Sequence, residues 1–180
     1  MIKDLAIRSA VSSDIPRLVA LEHDYSTDHV WQMSYRASSG EIGAAFREVR
    51  LPRPMRVTYP REAKRLMDDW LNRACLLVAE SEGASCGYLT LLEGPAPGAA
   101  WVVDLVVGAR HRRQGIASRL LQAGRQWATE RGLGRLFLEM QSKNYPAVCL
   151  ARKMGFSFAG YSDLYYPDQD LAIFFTLGLG

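Results

Sequence analysis

Cysteine, histidine and long apolar runs are all scarce in this sequence of 180 residues. Cys75, Cys86 and Cys149 lie far apart without a Cys-x-x-Cys pair, which argues against a disulfide framework and against a zinc site. The three histidines are equally scattered, so we expect no metal. No apolar run approaches the roughly 18 residues that span a bilayer, and the first residues lack the cationic and then apolar layout of a secretory signal. We therefore expect a cytoplasmic protein that does not enter a membrane.

Acidic residues are nearly missing from one part of the chain. Between Arg110 and Lys153, ten lysines and arginines face only Glu130 and Glu139, a net charge of +8. The rest of the chain has 12 basic and 17 acidic residues, a net charge of −5. A strongly positive segment inside an otherwise acidic protein indicates a polyanionic ligand held at one place. A solvated basic helix face has the same composition, and charge alone does not separate the two interpretations.

The first half of the chain predicts few regular elements. Residues 5–8 are expected to form a short strand, followed by a helix with Pro16 in its first turn and Ser12 or Ser13 as its cap. Two strands are predicted around a Ser-Ser-Gly turn, and a polar helix after them. Their ranges are 30–33, 46–51 and 61–73.

The second half shows clearer periodicity. Apolar runs at 75–80 and 87–92 flank a short glycine-containing turn, which is a hairpin signature. A helix over 114–131 has one apolar stripe. The other elements are strands at 101–107, 136–140, 157–162 and 171–177, and a helix over 144–154. Strands and helices that alternate with short connections predict an α/β fold with at least one parallel pair of strands.

The apolar strand at 101–107 leads into a helix that starts with Arg112-Arg113-Gln114-Gly115-Ile116-Ala117-Ser118. The first N–H groups of a helix lack partners within it, and the helix dipole adds positive potential there. Gly115 and Ala117 keep side chains away so that the backbone can approach a phosphate, while Arg112 and Arg113 supply mobile counter-charge. The motifs of triphosphate and dinucleotide sites are missing. The sequence therefore predicts a pyrophosphate cradle.

Two motifs resemble the GNAT superfamily of N-acetyltransferases. Residues 103–107, followed by 112–117 and Leu120-Leu121, are similar to its acetyl-coenzyme A (acetyl-CoA) signature. Leu138-Glu139 with Asn144, Ala147 and residues 153–156 resembles its second cofactor motif. The resemblance covers roughly residues 101–160. It implies one α/β domain over 1–180, with a mixed central sheet of about six to eight strands and helices on both faces. Residues 101–156 would form the acetyl-CoA-binding core, and residues 1–74 mainly the acceptor side.

The resemblance also implies which residues contact the cosubstrate. The backbone of Leu105, Val106 and Val107 would pair with the pantetheine arm as an added strand. Asn144 and Ala147 would bind near the amides of that arm, although Asn144 is equally suited to cap a helix. The amides of the helix start would hold the pyrophosphate beside Arg112. These are the amides of Arg113, Gln114, Gly115, Ile116, Ala117 and Ser118.

Amide formation from a thioester needs a neutral amine, a polarised carbonyl and a protonated leaving thiol. Asp104, a carboxylate in an otherwise apolar strand, is the first candidate to receive the amine proton through water. The alternative is a structural acid that is hydrogen-bonded across the sheet. Glu139 is the second candidate, placed by resemblance. A backbone N–H near Val106 or Val107 would stabilise the oxyanion.

The tyrosine that protonates the thiol in many GNAT members has no counterpart at its usual position, where this chain has Ala151. Tyr165 is the candidate to take its place. Tyr145, Tyr166 and solvent are the alternatives.

Residues 21–30, the run Phe46-Arg47-Glu48-Val49 and the Tyr59-Pro60 turn resemble streptothricin acetyltransferases, which acetylate an amine of a cationic antibiotic. The resemblance implies a cationic small-molecule acceptor, such as streptothricin or an aminoglycoside-like compound. The acids of this segment would attract such an acceptor. They are Glu22, Asp24, Asp28 and Glu48.

Other functions are compatible with the same residues. The acceptor would then be a protein N-terminus, a lysine or a polyamine. Because of Ala151, the chain is also compatible with a non-catalytic acetyl-CoA sensor. A nucleic-acid module would use the basic run 110–153, but the aromatic residues of that run do not predict an exposed stacking row, so we expect no nucleic acid as a partner. The sequence does not define the oligomeric state, and a homodimer is compatible with it.

Overall fold

The computed structural model describes residues 4–94 and 96–180, which form nine strands and four α-helices. The first three residues, on which the expectation of no secretory signal partly rests, and Pro95 lie outside the described residues. Within the described ranges, no helix has the length and apolar character needed to cross a membrane. The strands are β1 (Ala6–Ser9), β2 (Tyr25–Ser38), β3 (Glu41–Val57), β4 (Cys75–Ser81), β5 (Ala84–Glu93), β6 (Ala99–Val107), β7 (Arg135–Gln141), β8 (Ser157–Ser162) and β9 (Ala172–Gly178). The helices are α1 (Ile15–Val19), α2 (Arg65–Asp69), α3 (Ile116–Glu130) and α4 (Tyr145–Lys153).

Seven strands form the central sheet, in the order β1-β4-β5-β6-β7-β9-β8. Neighbouring strands run antiparallel except for β6 and β7, which are parallel. A parallel pair needs a crossover connection, and α3 forms it. The expected mixed sheet, with one parallel pair and six to eight strands, is confirmed.

Helices cover both faces of the sheet. Consecutive residues of β4 point to opposite sides, and each side is buried in a different core. Leu77 and Ala79 belong to the larger hydrophobic core, which includes the buried side of α3 and part of α4. Leu76 and Val78 belong to a second core with residues of α1 and α2. The predicted apolar stripe of α3 is confirmed by its buried residues, which are Ile116, Leu120, Leu121, Gly124 and Ala128.

The two strands expected around the Ser-Ser-Gly turn are much longer than predicted. β2 and β3 pair with each other in a two-stranded hairpin, separate from the central sheet. The hairpin contacts the domain where the Trp31 N–H donates to the Ser142 carbonyl oxygen at 2.9 Å and where the Phe46 ring packs on Phe158. Much of the hairpin is exposed on both sides, so no hydrophobic alternation marks its length in the sequence.

Both helices of the first half are shorter than predicted. α1 follows a 3₁₀ turn at Ser12–Asp14, and α2 with the 3₁₀ turn Trp70–Asn72 covers only part of the range 61–73. The predicted cap at Ser12 or Ser13 is wrong, because the N-cap positions are Val11 and Asp14. Helices this short depend on tertiary contacts rather than on local propensity.

A buried carboxylate joins β1 to the start of α1. Asp14 is 2% exposed and accepts hydrogen bonds from Arg8 Nη1 at 2.7 Å and Nη2 at 2.8 Å. These bonds lower the pKa of Asp14 from 3.8 to about 2. Because the folded-state pKa is the lower one, the stabilisation is complete above pH ~4 and is lost as the pH falls towards 2.

We expect Asp14→Asn to lower the free energy of unfolding by about 2 kcal/mol at pH 7. The difference between variant and wild type should shrink as the pH falls below about 4, because the carboxyl of the unfolded wild-type chain then takes up its proton while that of the folded chain still does not. Denaturant unfolding of both proteins at pH 7 and at pH ~3 measures this. A difference that stays the same at both pH values would show that lost packing, and not the carboxylate charge, is responsible.

Candidate active site

β6 and β7 pair only over their first halves. The parallel ladder ends at the pair Val102–Leu138, after which β6 stays with β5 and β7 with β9. On β6, Val103 is an extra residue between the paired Val102 and Asp104, which is a β-bulge. The two strands therefore separate beyond residue 102, and the edge of β6 that faces β7 becomes free for another partner.

The cleft between the separating strands is a narrow cavity of about 60 Å³. Leu105, Asn144 and Ala147, which the resemblance assigns to acetyl-CoA, all line it. Asn144 is the N-cap of α4, as predicted, and its Oδ1 accepts the Ala147 N–H at 3.1 Å. The Val106 side chain packs in the second core instead, so only its backbone is left for the predicted contact. A free strand edge is what an added strand requires.

The turn from β6 into α3 contains two residues with a left-handed backbone. They are Arg113, with φ 64°, and Gly115, with φ 86°, which is the N-cap of α3. A Cβ atom placed on Gly115 would have no non-neighbouring atom of the described residues within 4 Å. Amides in such a turn converge on a concave site for anions, next to the free N–H groups of the first helical turn. The turn therefore has the geometry of an anion site, and its contact with the pyrophosphate of acetyl-CoA stays a prediction.

Arg112 does not supply the mobile charge that the sequence predicts. Its Nε donates to the Val107 carbonyl oxygen at 2.8 Å, and its Nη2 donates to the Glu22 carbonyl oxygen at 2.6 Å. The guanidinium thus ties the cradle to the end of β6 and to the segment after α1. Mobile counter-charge at the cradle stays a prediction for Arg113 alone.

Asp104 is buried, and both of its oxygens accept hydrogen bonds. The Tyr59 hydroxyl donates to Oδ1 and the Thr90 hydroxyl to Oδ2, each at 2.6 Å. Nitrogens of Arg61 and Arg73 each lie 3.9 Å from the carboxylate. Burial, together with the charge of Asp104, raises the pKa of Tyr59 well above its usual value, so this hydroxyl remains a donor. The bond to Thr90 on β5 is what we expect if Asp104 is a structural acid that is hydrogen-bonded across the sheet. Proton transfer to Asp104 stays a prediction.

Glu139 and Tyr165, which are far apart in the sequence, are in contact. The Tyr165 hydroxyl donates to Glu139 Oε2 at 2.9 Å. Glu139 Oε1 accepts from Arg61 Nη2, and Arg61 Nη1 donates to the Val103 carbonyl oxygen at 2.9 Å. Arg61 and Tyr59 are site residues that the sequence does not predict. The Tyr59-Pro60 turn is part of the resemblance to streptothricin acetyltransferases, but it does not indicate a catalytic or binding role for either residue.

A cavity of about 660 Å³ lies beside these residues. Tyr59, Arg61, Val103 and Glu139 line both this cavity and the cleft, so the two spaces meet there. The larger cavity is lined by more carboxylates than guanidinium groups. The carboxylates belong to Glu62, Asp69, Glu93, Asp104 and Glu139, and the guanidinium groups to Arg61, Arg65 and Arg73.

The acids that the sequence predicts to attract the acceptor do not line this cavity. Glu22 and Asp24 both pair with Arg56 and border a neighbouring cavity of about 650 Å³. Asp28 pairs with its neighbour on β2, and Glu48 accepts from a tyrosine of α4. The structure thus places these four acids outside the larger cavity, and their attraction for the acceptor stays a prediction. Across residues 4–94 and 96–180, no three metal-binding side chains come together.

A parallel strand pair that opens beside a helix start with free amides is the arrangement expected of an N-acetyltransferase that uses acetyl-CoA. The chain belongs to the acetyltransferase (GNAT) family, whose model matches residues 44–156. This membership supports an acetyl-CoA-dependent N-acetyltransferase.

Several relatives are similar over most of the chain. Streptothricin acetyltransferase of Streptomyces lavendulae is 26% identical over 164 residues, which cover 88% of this chain and 85% of that protein. The crystal structure of nourseothricin acetyltransferase superposes with a TM-score of 0.83 at 25% identity and covers 98% of this chain and 99% of that one. A Bacillus anthracis structure in complex with acetyl coenzyme A shares the fold, with a TM-score of 0.78 at 20% identity over 97% of this chain and 98% of that one. The chain is thus a GNAT acetyltransferase related to streptothricin acetyltransferases.

Proposed function

We propose that the protein acetylates a primary amine of a cationic small molecule, such as streptothricin or an aminoglycoside-like antibiotic. The larger cavity carries this proposal, because it meets the cleft at Glu139 and has an excess of carboxylates on its walls. An ammonium-bearing acceptor gains from such walls, whereas an acidic acceptor is repelled. The names of the relatives point to the same class of acceptor.

In this proposal the two halves of the domain have separate tasks. The core over 101–156 holds acetyl-CoA, through the β6 edge at Leu105–Val107, the amides of 113–118, and Asn144 with Ala147. Acetyl-CoA supplies an activated acetyl thioester. The segment 1–74 contributes most to the acceptor side, including Tyr59 and Arg61. One domain over 1–180 thus brings the two substrates together at the opening between β6 and β7.

For the amine proton we propose Glu139 ahead of Asp104. Glu139 lines both the acceptor cavity and the cleft, whereas Asp104 lines only the cavity. Both carboxylates accept hydrogen bonds at each oxygen, but the Thr90 hydroxyl that donates to Asp104 is buried in the sheet, whereas the Tyr165 hydroxyl that donates to Glu139 is exposed. Tyr165, which is 41% exposed, donates to Glu139 and is the proposed proton donor for the leaving thiolate. A carboxylate and a phenol in contact are suited to passing protons in opposite directions.

The test is thiol release from acetyl-CoA with a panel of acceptors: streptothricin, aminoglycosides, polyamines and peptides with free N-termini or lysines. We expect release to depend on an added amine, and the best acceptor to carry more than one positive charge. Its KM should rise as the salt concentration increases from about 0.05 M to about 0.5 M, because ions screen the cavity charges. A neutral or acidic amine as best acceptor, or a KM that does not respond to salt, would overturn the proposal.

Matched variants show which carboxylates attract the acceptor. Glu62→Gln and Asp69→Asn neutralise walls of the larger cavity and should raise the acceptor KM. Asp28→Asn removes an exposed carboxylate that lies on the hairpin and should leave it unchanged. Equal effects of all three variants would mean that overall charge attracts the acceptor.

A further inference from the structure

Arg61 crosses the opening between β6 and β7. One arm of its guanidinium donates to the Val103 carbonyl oxygen, at the bulge of β6, and the other donates to Glu139 on β7. The side chain is 21% exposed, that of Glu139 only 3%, and the guanidinium carbon also lies 5.2 Å from the centre of the Tyr166 ring. Arg61 thus spans the gap between β6 and β7 just beyond the pair Val102–Leu138, which is the last pair of the described parallel ladder.

We propose that Arg61 is a positioning residue for acetyl transfer, which acts by holding the Glu139 carboxylate at a fixed place relative to the bulge of β6. This inference rests on the proposed function, in which Glu139 receives the amine proton. A proton acceptor works only when its oxygen lies within hydrogen-bond reach of the proton, so small displacements are costly for the rate. Arg61 comes from the segment before α2, and it therefore couples the acceptor side to the core that holds acetyl-CoA.

The shape of the guanidinium explains why an arginine is needed. Its planar fork can donate in two directions at once, towards a carbonyl and a carboxylate, whereas the ammonium group of lysine is a point charge on a flexible chain. Lysine would keep the positive charge beside Glu139 but would not hold both strands in one geometry. Arg61→Lys therefore separates positioning from charge.

The positive charge of Arg61 predicts that its replacement affects the rate and the binding of the acceptor differently. Arg61 is a cation on the wall of a cavity proposed to hold a cation. Its replacement by glutamine should therefore not weaken acceptor binding, while the rate falls. A residue that merely supports the shape of the cavity would raise the KM and lower the kcat together.

The experiment is a double-mutant cycle of Arg61→Lys and Glu139→Gln, with kcat and KM measured for the best acceptor of the panel. We expect Arg61→Lys to lower kcat about fivefold in the wild type and less than about twofold in the Glu139→Gln protein, with KM nearly unchanged. Arg125→Lys, on the exposed side of α3, is the matched control and should leave both constants unchanged. Thermal unfolding of each variant shows that it is folded. Acceptor binding to Arg61→Gln, measured by calorimetry, gives a result that does not depend on turnover.

Equal losses of kcat from Arg61→Lys in the two backgrounds would overturn the inference, since Arg61 would then act independently of Glu139. Weaker acceptor binding to Arg61→Gln would overturn it as well. Both results leave the proposed function intact, because the wild type still transfers acetyl groups to the cationic acceptor. Failure of the proposed function would be seen separately, as the absence of amine-dependent thiol release in the wild type.

Discussion

Glu139→Gln is expected to lower turnover by roughly 10²–10⁴-fold, with little change in acetyl-CoA affinity. Glutamine keeps the size of the side chain and can still accept a hydrogen bond from Arg61 or Tyr165, but it cannot take up the amine proton. The loss should become smaller as the pH rises towards and above about 10.4, the usual pKa of an alkylamine, because a growing fraction of the acceptor is then already neutral. Steady-state thiol release over this pH range, together with calorimetric titration of acetyl-CoA, measures both effects.

Asp104→Asn is the comparison that assigns the role. If Asp104 holds Tyr59 and Thr90, the variant should unfold at a lower temperature and keep most of its turnover per folded molecule. If Asp104 is the proton acceptor, turnover should fall with the same pH dependence, and Glu139→Gln should be the milder variant. A loss of turnover in Glu139→Gln that does not depend on pH would remove Glu139 from proton transfer.

Gly115→Glu is expected to weaken acetyl-CoA binding at least about tenfold, which corresponds to about 1.4 kcal/mol. The substitution places negative charge at the helix start that is proposed to hold the pyrophosphate, and it forces a residue with a Cβ atom into a backbone with φ 86°. Calorimetric titration with acetyl-CoA measures the affinity.

Gly132→Glu is a matched control for backbone strain. Gly132 follows the other end of α3, with φ 69° and no non-neighbouring atom of the described residues within 4 Å of an added Cβ. The Gly132→Glu protein should lose stability as the Gly115→Glu protein does, but it should bind acetyl-CoA with unchanged affinity. Gly115→Lys keeps the bulk and reverses the charge, and it should bind better than Gly115→Glu. Unchanged affinity in a folded Gly115→Glu protein would remove this turn from the cosubstrate site.

Most of the second half of the fold could be predicted from the sequence. The strands at 75–80 and 136–140 and the helix over 114–131 agree with β4, β7 and α3 to within two residues, because their hydrophobic periodicity reflects burial on one face. The hairpin of β2 and β3 could be predicted in place but not in length. Its strands are long, largely exposed and paired with each other, so their sequence shows no regular alternation of apolar and polar residues from which their length could be predicted.

The sequence by itself determined the features that a few neighbouring residues create. The glycine-containing start of α3 and the Asn144 cap belong to this class, because backbone conformation and helix ends depend on residues within one turn. The tertiary structure alone decided how the catalytic candidates meet. Arg61 contacts Val103, 42 residues away, and Glu139, 78 residues away. It also decided which acids line the larger cavity. Such contacts arise where separate elements pack together, and no local pattern encodes them.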